Sequence, residues 1–176
     1  MRYALIGCGR ISPNHIAAAK ENGLEIVAMC DINIENIKDK MVKFDLPDTI
    51  AKYTDYREMI EKEKIDLAAI ATESGKHAEI AINCIEAGIN LIIEKPIALS
   101  LHDADRIIEM AEKKNVKVCA CHQNRFNKSV QKIRDAVEKN RFGRCFMVQH
   151  IFVGAEIMNI ILALNGGEHG SRMAVL

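Results

Sequence analysis

Apolar and polar positions alternate along the first two thirds of the chain in a regular rhythm of short buried strands and amphipathic helices. Tyr3-Ala4-Leu5-Ile6 is a four-residue apolar run, followed by a helix that begins near Pro13. A strand is predicted over 25–30, a polar-faced helix over 34–43, and a short third strand over 49–53. Asp55 caps a helix that runs to about Glu63, and 65–71 reads as a fourth strand buried on both faces. The next helix starts at Lys76 and stops at Gly88, where a left-handed turn residue is expected. A fifth strand covers 90–93. Ser100, with Asp103 three residues on, caps a helix whose apolar stripe is Leu101, Ala104, Ile107, Ile108 and Ala111. A sixth strand covers 116–121. Strands alternating with helices over short connections predict an α/β fold, a doubly wound parallel sheet over residues 1–121.

The remainder is less regular. Val130, Ile133 and Val137 mark one amphipathic helix, Arg141-Phe142-Gly143 a turn, and 145–153 a strand. A helix and one strand make no domain, so residues 122–153 read as the start of a truncated α+β second domain whose strand needs partners. An unpaired edge and an uncovered apolar face lead us to expect self-association into a homo-oligomer. Residues 154–176 form an atypical tail around the run Ile157-Met158-Asn159-Ile160-Ile161-Leu162-Ala163-Leu164. One reading is a C-terminal helix ended by Asn165-Gly166.

Charge narrows the choice of partner. The 24 Lys and Arg balance 24 Asp and Glu, with no basic stripe, which argues against nucleic acid or a membrane surface and for small-molecule ligands. Six cysteines lie mostly within apolar runs without a C-x-x-C pair, and read as small buried hydrophobes of a reducing cytoplasm. Cys119 and Cys121 share a strand face but lack further ligands, so no metal site is expected. A strand begins within two residues of Met1, leaving no room for a signal peptide, and no apolar run reaches membrane-spanning length.

The chemistry is concentrated where strands end. Gly7-Cys8-Gly9-Arg10-Ile11-Ser12 follows the first strand and opens a helix. The first glycine permits the tight turn, the second removes a side chain from the path of a phosphate, and the helix start offers backbone N–H groups to it. Ser12 stands where a third glycine is common. The second strand ends at Asp31, the distance at which a carboxylate accepts from both adenosine ribose hydroxyls and repels a 2′-phosphate, favouring NAD over NADP. In an open α/β sheet, ligands lie beyond the carboxyl ends of the strands. Three segments there are unusually polar: Thr72-Glu73-Ser74-Gly75-Lys76-His77, Glu94-Lys95-Pro96 and His122-Gln123-Asn124-Arg125-Phe126-Asn127.

The glycine fingerprint, the E-K-P after the fifth strand and the N-R-F-N segment resemble the Gfo/Idh/MocA family of NAD(P)-dependent oxidoreductases, through about residue 150. The segment from His122 to Ile133 looks most like the branch of UDP-N-acetylglucosamine and UDP-N-acetylglucosaminuronate 3-dehydrogenases. The resemblance implies a Rossmann domain and hydride transfer to NAD from a secondary hydroxyl of a sugar, C3 of a UDP-amino sugar. By matching position, Gly7, Gly9, Arg10 and Ile11 would face the pyrophosphate, Asp31 and Ile32 the adenosine, and Thr72 and Ser74 the ribose on the nicotinamide side. Glu94 and Lys95 would flank the nicotinamide, with Gln123, Asn124 and Arg125 nearby. Lys95 would be catalytic, polarising the reacting hydroxyl. His77 matches a histidine frequent in the cofactor region, for which a helix-start structural role is the alternative. Glu73 stands where proline is common. The family's proton acceptor is a histidine in the second domain, in a segment like G-G-x-x-x-N-x-x-x-H that these 176 residues do not contain. The chain by itself is therefore expected to be inactive, and a non-catalytic dinucleotide-binding module or an inactive fragment is the alternative function. Residues 165–176, back-translated and read two bases later, permit a string resembling the family's next segment, which gives a second reading of the tail as an out-of-frame product.

Overall fold

The computed structural model describes residues 1–143, 145–153, 156–164 and 172–175, the last three segments as strand backbone only. Contacts divide the chain into two units, Met1–His122 and Gln123–Leu176.

In the first unit, β1 (Arg2–Ile6), α1 (Ser12–Glu21), β2 (Glu25–Cys30), α2 (Ile34–Lys43) and β3 (Ala51–Tyr53) form one half. The other half is α3 (Tyr56–Lys62), β4 (Leu67–Ile70), α4 (His77–Glu86), β5 (Asn90–Ile93), α5 (Leu101–Lys114) and β6 (Val118–Ala120). The sheet runs β3-β2-β1-β4-β5-β6 with every pairing parallel. The order reverses between β1 and β4, and at such a switch point a crevice opens beyond the strand ends.

Alternation along the central strands builds two cores. Tyr3 and Leu5 pack with Ile16, Ala19, Ile37 and Met41 of α1 and α2. Ala4 and Ile6 face Met59, Ile80, Cys84, Ile85 and Ile107 of α3, α4 and α5. Burial on both faces explains why these strands read as continuous apolar runs. Asp55 caps α3 by accepting from the Arg57 N–H at 2.8 Å, and Ser100 caps α5 by accepting from the Asp103 N–H at 3.0 Å. Gly88, just after α4, has a φ of 78°, the left-handed stop expected there.

The stripe on α5 is narrower than the sequence suggests. Ile107 and Ala111 are buried, but Leu101 is 85% and Ile108 52% exposed. Position fits this: β6 is the sheet edge, and α5 packs beside α4. The same edge leaves Cys119 exposed and Cys121 half-buried, whereas Cys8, Cys30 and Cys84 are buried as expected.

The second unit begins with a short 3-10 turn at Gln123–Phe126 and α6 (Lys128–Glu138). β7 (Cys145–Val153) is then paired antiparallel with β8 (Glu156–Leu164), and β8 with β9 (Arg172–Val175). This corrects both the single unpaired strand and the helical reading of the tail. Ile157, Ile160 and Ile161 are β-branched, and a run of such residues satisfies the open edge of β7 better than it fills a helix. The Asn165-Gly166 stop lies outside the described residues.

The turn after β1 is sterically closed. Gly7 has a φ of +96°, and a β-carbon there would lie 2.5 Å from the backbone carbon and oxygen of Ala71. Gly7→Ala should cost about 2–4 kcal/mol through overpacking and the left-handed backbone. Thermal denaturation should show a fall in Tm of roughly 5–15 °C; an unchanged Tm would contradict this geometry.

Candidate functional site

One row of backbone hydrogen bonds crosses the carboxyl end of the sheet. The Asp31 N–H donates to Tyr53 O at 3.1 Å, Gly7 to Cys30 O at 2.8 Å, Ala71 to Ile6 O at 2.7 Å, Glu94 to Ile70 O at 2.9 Å and Cys121 to Ile93 O at 2.8 Å. Parallel register thus brings the glycine turn, Asp31, the start of the Thr72 segment and Glu94 to one level, although they lie far apart in sequence.

At the switch point the glycine loop leads into α1. A β-carbon built on Gly9 would meet nothing within 4 Å, so the space above it is open. Ser12 is fully buried, and its hydroxyl donates to Gly9 O at 2.7 Å, tying the loop to the helix where a third glycine would have allowed closer packing. The N-terminus of α1 has no side-chain cap, so its first N–H groups keep their capacity to bind an anion. Arg10 is exposed beside it and Ile11 half-buried.

Asp31 ties this loop to the next element. Its Oδ2 accepts from the Cys8 N–H at 2.7 Å, while Oδ1 accepts from the Asn33 N–H at 2.9 Å and from Asn36 Nδ2 at 3.0 Å. A carboxylate has about four lone-pair sites, so with these three bonds made there is still acceptor capacity on Oδ2 for a ribose hydroxyl. Ile32 is 94% exposed, an apolar surface beside that carboxylate. The Cys8 and Cys30 thiols are each pushed up to about 12, by burial first and then by the Asp31 charge, so neither is a nucleophile near neutral pH. An open space over Gly9 and an uncapped helix start fit a dinucleotide's pyrophosphate, a carboxylate with an acceptor site left fits the ribose, and an exposed apolar residue fits the adenine.

On the other side of the switch point, Glu94 is 9% exposed, and its Oε1 lies 3.0 Å from Nε2 of the buried His15. Its Oε2 accepts from the Lys95 N–H at 3.3 Å, and the Cys121 thiol lies within 4.8 Å of the carboxylate. The glutamate side chain is thereby anchored inward while Lys95, the next residue, is exposed. The Lys95-Pro96 bond is cis. Thr72 and Ser74 are half-buried on the adjacent segment, and Glu73 is exposed.

His15, Glu94 and Cys121 bring three potential ligand atoms within 4.8 Å of one another. His15 and Glu94 are engaged with each other, and burial first and then the nearby Glu94 charge push the Cys121 thiol up to about 11. A metal would have to displace the His15–Glu94 contact and remove the thiol proton. The sequence reading missed His15. Its signal is that Ser12, His15, Ile16 and Ala19 form the buried stripe of α1, where a polar ring needs a partner.

His77 lies behind the site, only 1% exposed, with both ring nitrogens on backbone carbonyls: Nδ1 to Pro96 O at 2.7 Å and Nε2 to Thr72 O at 3.1 Å. It contacts the loops of the site rather than its open space. Gln123, Asn124 and Arg125 are exposed in the 3-10 turn of the second unit, where Arg125 O accepts from Gln131 Nε2 at 2.7 Å.

Comparison with known proteins agrees with this geometry. Residues 1–122 match the GFO_IDH_MocA family model, described as an oxidoreductase family with an NAD-binding Rossmann fold. The crystal structure of the WlbA dehydrogenase from Bordetella pertussis, in complex with NADH and UDP-GlcNAcA, is 34% identical with a TM-score of 0.77, over 84% of this chain and 44% of that one. D-apiose dehydrogenase of Paraburkholderia graminis is 31% identical over 81% of this chain and 38% of its own length. Myo-inositol 2-dehydrogenase of Thermotoga maritima is 29% identical over 82% of this chain and 42% of its own. The chain thus spans less than half the length of these relatives. Fold, glycine turn and family match agree: the chain belongs to the Gfo/Idh/MocA oxidoreductases, and its first 122 residues are their NAD-binding Rossmann domain.

Proposed function

We propose that this chain is the NAD-binding part of a dehydrogenase that moves a hydride from a secondary hydroxyl of a sugar, C3 of a UDP-amino sugar, to NAD. The observation that carries the reading is the anchoring of Glu94, which turns its own charge inward onto His15 and leaves Lys95 exposed at the carboxyl end of β5. The identity to the WlbA dehydrogenase supports a nucleotide sugar as the substrate class, while the inositol and apiose enzymes support a polyol or sugar hydroxyl in general.

Each residue then has a physical task. The N–H groups at the start of α1 bind the pyrophosphate, with Gly9 leaving room for it and Arg10 adding positive charge alongside. Asp31 accepts from the adenosine ribose hydroxyls, and Ile32 lies against the adenine. Thr72 and Ser74 reach the second ribose. Lys95 donates to the reacting hydroxyl and stabilises the negative charge that grows on its oxygen as the proton passes to the second-domain histidine that the family resemblance implies, the point at which electrostatics contribute most. NAD, when bound, supplies the hydride acceptor.

A second reading is a dinucleotide-binding module without turnover. It needs only the Rossmann fold and the glycine turn.

Cofactor choice should follow Asp31. Fluorescence titration should show NADH binding roughly ten- to a hundredfold more tightly than NADPH, the value of hydrogen bonds to a charged acceptor, and Asp31→Ala should erase the difference. Equal or tighter binding of NADPH by the unmodified chain would contradict this role.

Turnover separates the two readings. In a full-length version of the protein, with NAD and UDP-N-acetylglucosaminuronate, absorbance of NADH should rise, and Lys95→Ala should lower kcat by roughly a hundredfold or more while NADH affinity stays within about threefold. NADH binding without turnover on nucleotide sugars or inositol would leave the module reading standing.

A further inference from the structure

We propose that Asn36 is a positioning residue that determines the preference for NAD over NADP: a neutral clamp that fixes the Asp31 carboxylate for the adenosine ribose and leaves its negative charge uncompensated against a 2′-phosphate. This deepens the cofactor reading above and rests on it.

The argument begins with how the donors divide between the two oxygens of Asp31. Oδ2 accepts from the Cys8 N–H at 2.7 Å. Oδ1 accepts from the Asn33 N–H at 2.9 Å and from Asn36 Nδ2 at 3.0 Å, which fills its two lone-pair sites. A carboxylate only accepts, so Asn36 must turn its amide nitrogen, and not its oxygen, to Asp31. The bonds to Oδ1 come from the start of α2 and the turn before it, and the bond to Oδ2 comes from the glycine loop. Held from both sides, the carboxylate keeps one orientation, and the acceptor site left on Oδ2 is in place before a ribose hydroxyl arrives. Asn36 supplies the one side chain among these three donors.

The helix does not need that side chain. Asn33 is the N-cap of α2, its own side chain accepting from the Glu35 N–H at 3.1 Å, and the Asn36 backbone N–H donates to Asn33 O at 3.0 Å. A side chain three residues after the cap serves a helix by reaching back to the N–H of the cap residue. Here that N–H is already taken by Asp31. Among the described residues the Asn36 amide hydrogen bonds to Asp31 alone.

The neutrality of the clamp is the second half of its task. Among the described residues no Lys or Arg pairs with Asp31, and the first basic residue of α2, Lys38, pairs with Glu35 at 2.7 Å. Ile32 and Asn33, exposed beside the carboxylate, carry no charge. A 2′-phosphate would meet an uncompensated anion with no cation to receive it. A lysine or arginine at position 36 could hold the same oxygen, but it would cancel the charge that does the rejecting.

Fluorescence titration of the full chain with NADH and with NADPH, unmodified and as two variants, tests this. Asn36→Ala removes the clamp at a helical position where alanine is the better helix former, so α2 itself is not weakened. NADH affinity should fall about three- to tenfold, the worth of one hydrogen bond, with NADPH affinity unchanged within about twofold. Asn36→Lys brings a cation to the same place, and NADPH affinity should rise at least about threefold, a gain that a damaged fold cannot produce. Undiminished NADH binding by Asn36→Ala, equal losses of both ligands, or no gain of NADPH by Asn36→Lys would each overturn the role of Asn36 and leave the cofactor reading intact. An unmodified chain that bound neither ligand, or NADPH as tightly as NADH, would overturn the cofactor reading and the clamp with it.

Discussion

Register in the parallel sheet is the constraint on which the rest of this structure depends. Side chains alternate between two buried faces, so slipping any central strand by one residue would exchange its Tyr3 and Leu5 set for its Ala4 and Ile6 set and ruin both cores. The packing therefore allows one register, and that register aligns the strand ends. The row of N–H donors from Asp31, Gly7, Ala71, Glu94 and Cys121 is its visible result. Chemistry on five separate segments is thereby brought to one level without any segment needing to know of the others.

Above that row the loops are held by buried polar ties. Asp31 grips the glycine loop through the Cys8 N–H, Ser12 grips it through Gly9 O, His15 holds Glu94, and His77 joins the Thr72 and Pro96 segments. Hydrogen bonds of this kind contribute modestly when made but are costly to leave unmade in a buried setting. Each tie therefore restrains its loop strongly against small displacements, which is what a site that must place a cofactor and a reacting hydroxyl requires. The residues left with exposed groups, Arg10, Ile32 and Lys95, are those the proposed function needs at the surface of the crevice.

Much of this was legible in the sequence where local rules decide. The strands at Glu25–Cys30 and Asn90–Ile93 and the helix at Ile34–Lys43 fall where apolar periodicity puts them, and the Asp55 and Ser100 caps bond as their side chains dictate. What was not legible depends on register or on edges. The partnership of His15 with Glu94 spans 79 positions and exists only because α1 packs beside the end of β5. The exposure of Leu101 and Ile108 depends on which neighbours α5 packs against, which periodicity along a helix does not reveal. The strand at Glu156–Leu164 escaped because a continuous apolar run carries no period, and only its pairing with β7 distinguishes strand from helix.

The central claim is that register and buried ties build the dinucleotide crevice before any ligand arrives. A crystal structure of this chain with NADH tests it most directly. The account predicts pyrophosphate oxygens on the first N–H groups of α1, the adenosine ribose on Asp31, and backbone positions at Gly7, Thr72 and Lys95 within about 1 Å of those described above. NADH bound elsewhere, or a glycine loop and Glu94-Lys95-Pro96 turn rebuilt around it with the Asp31 and His77 bonds broken, would contradict it.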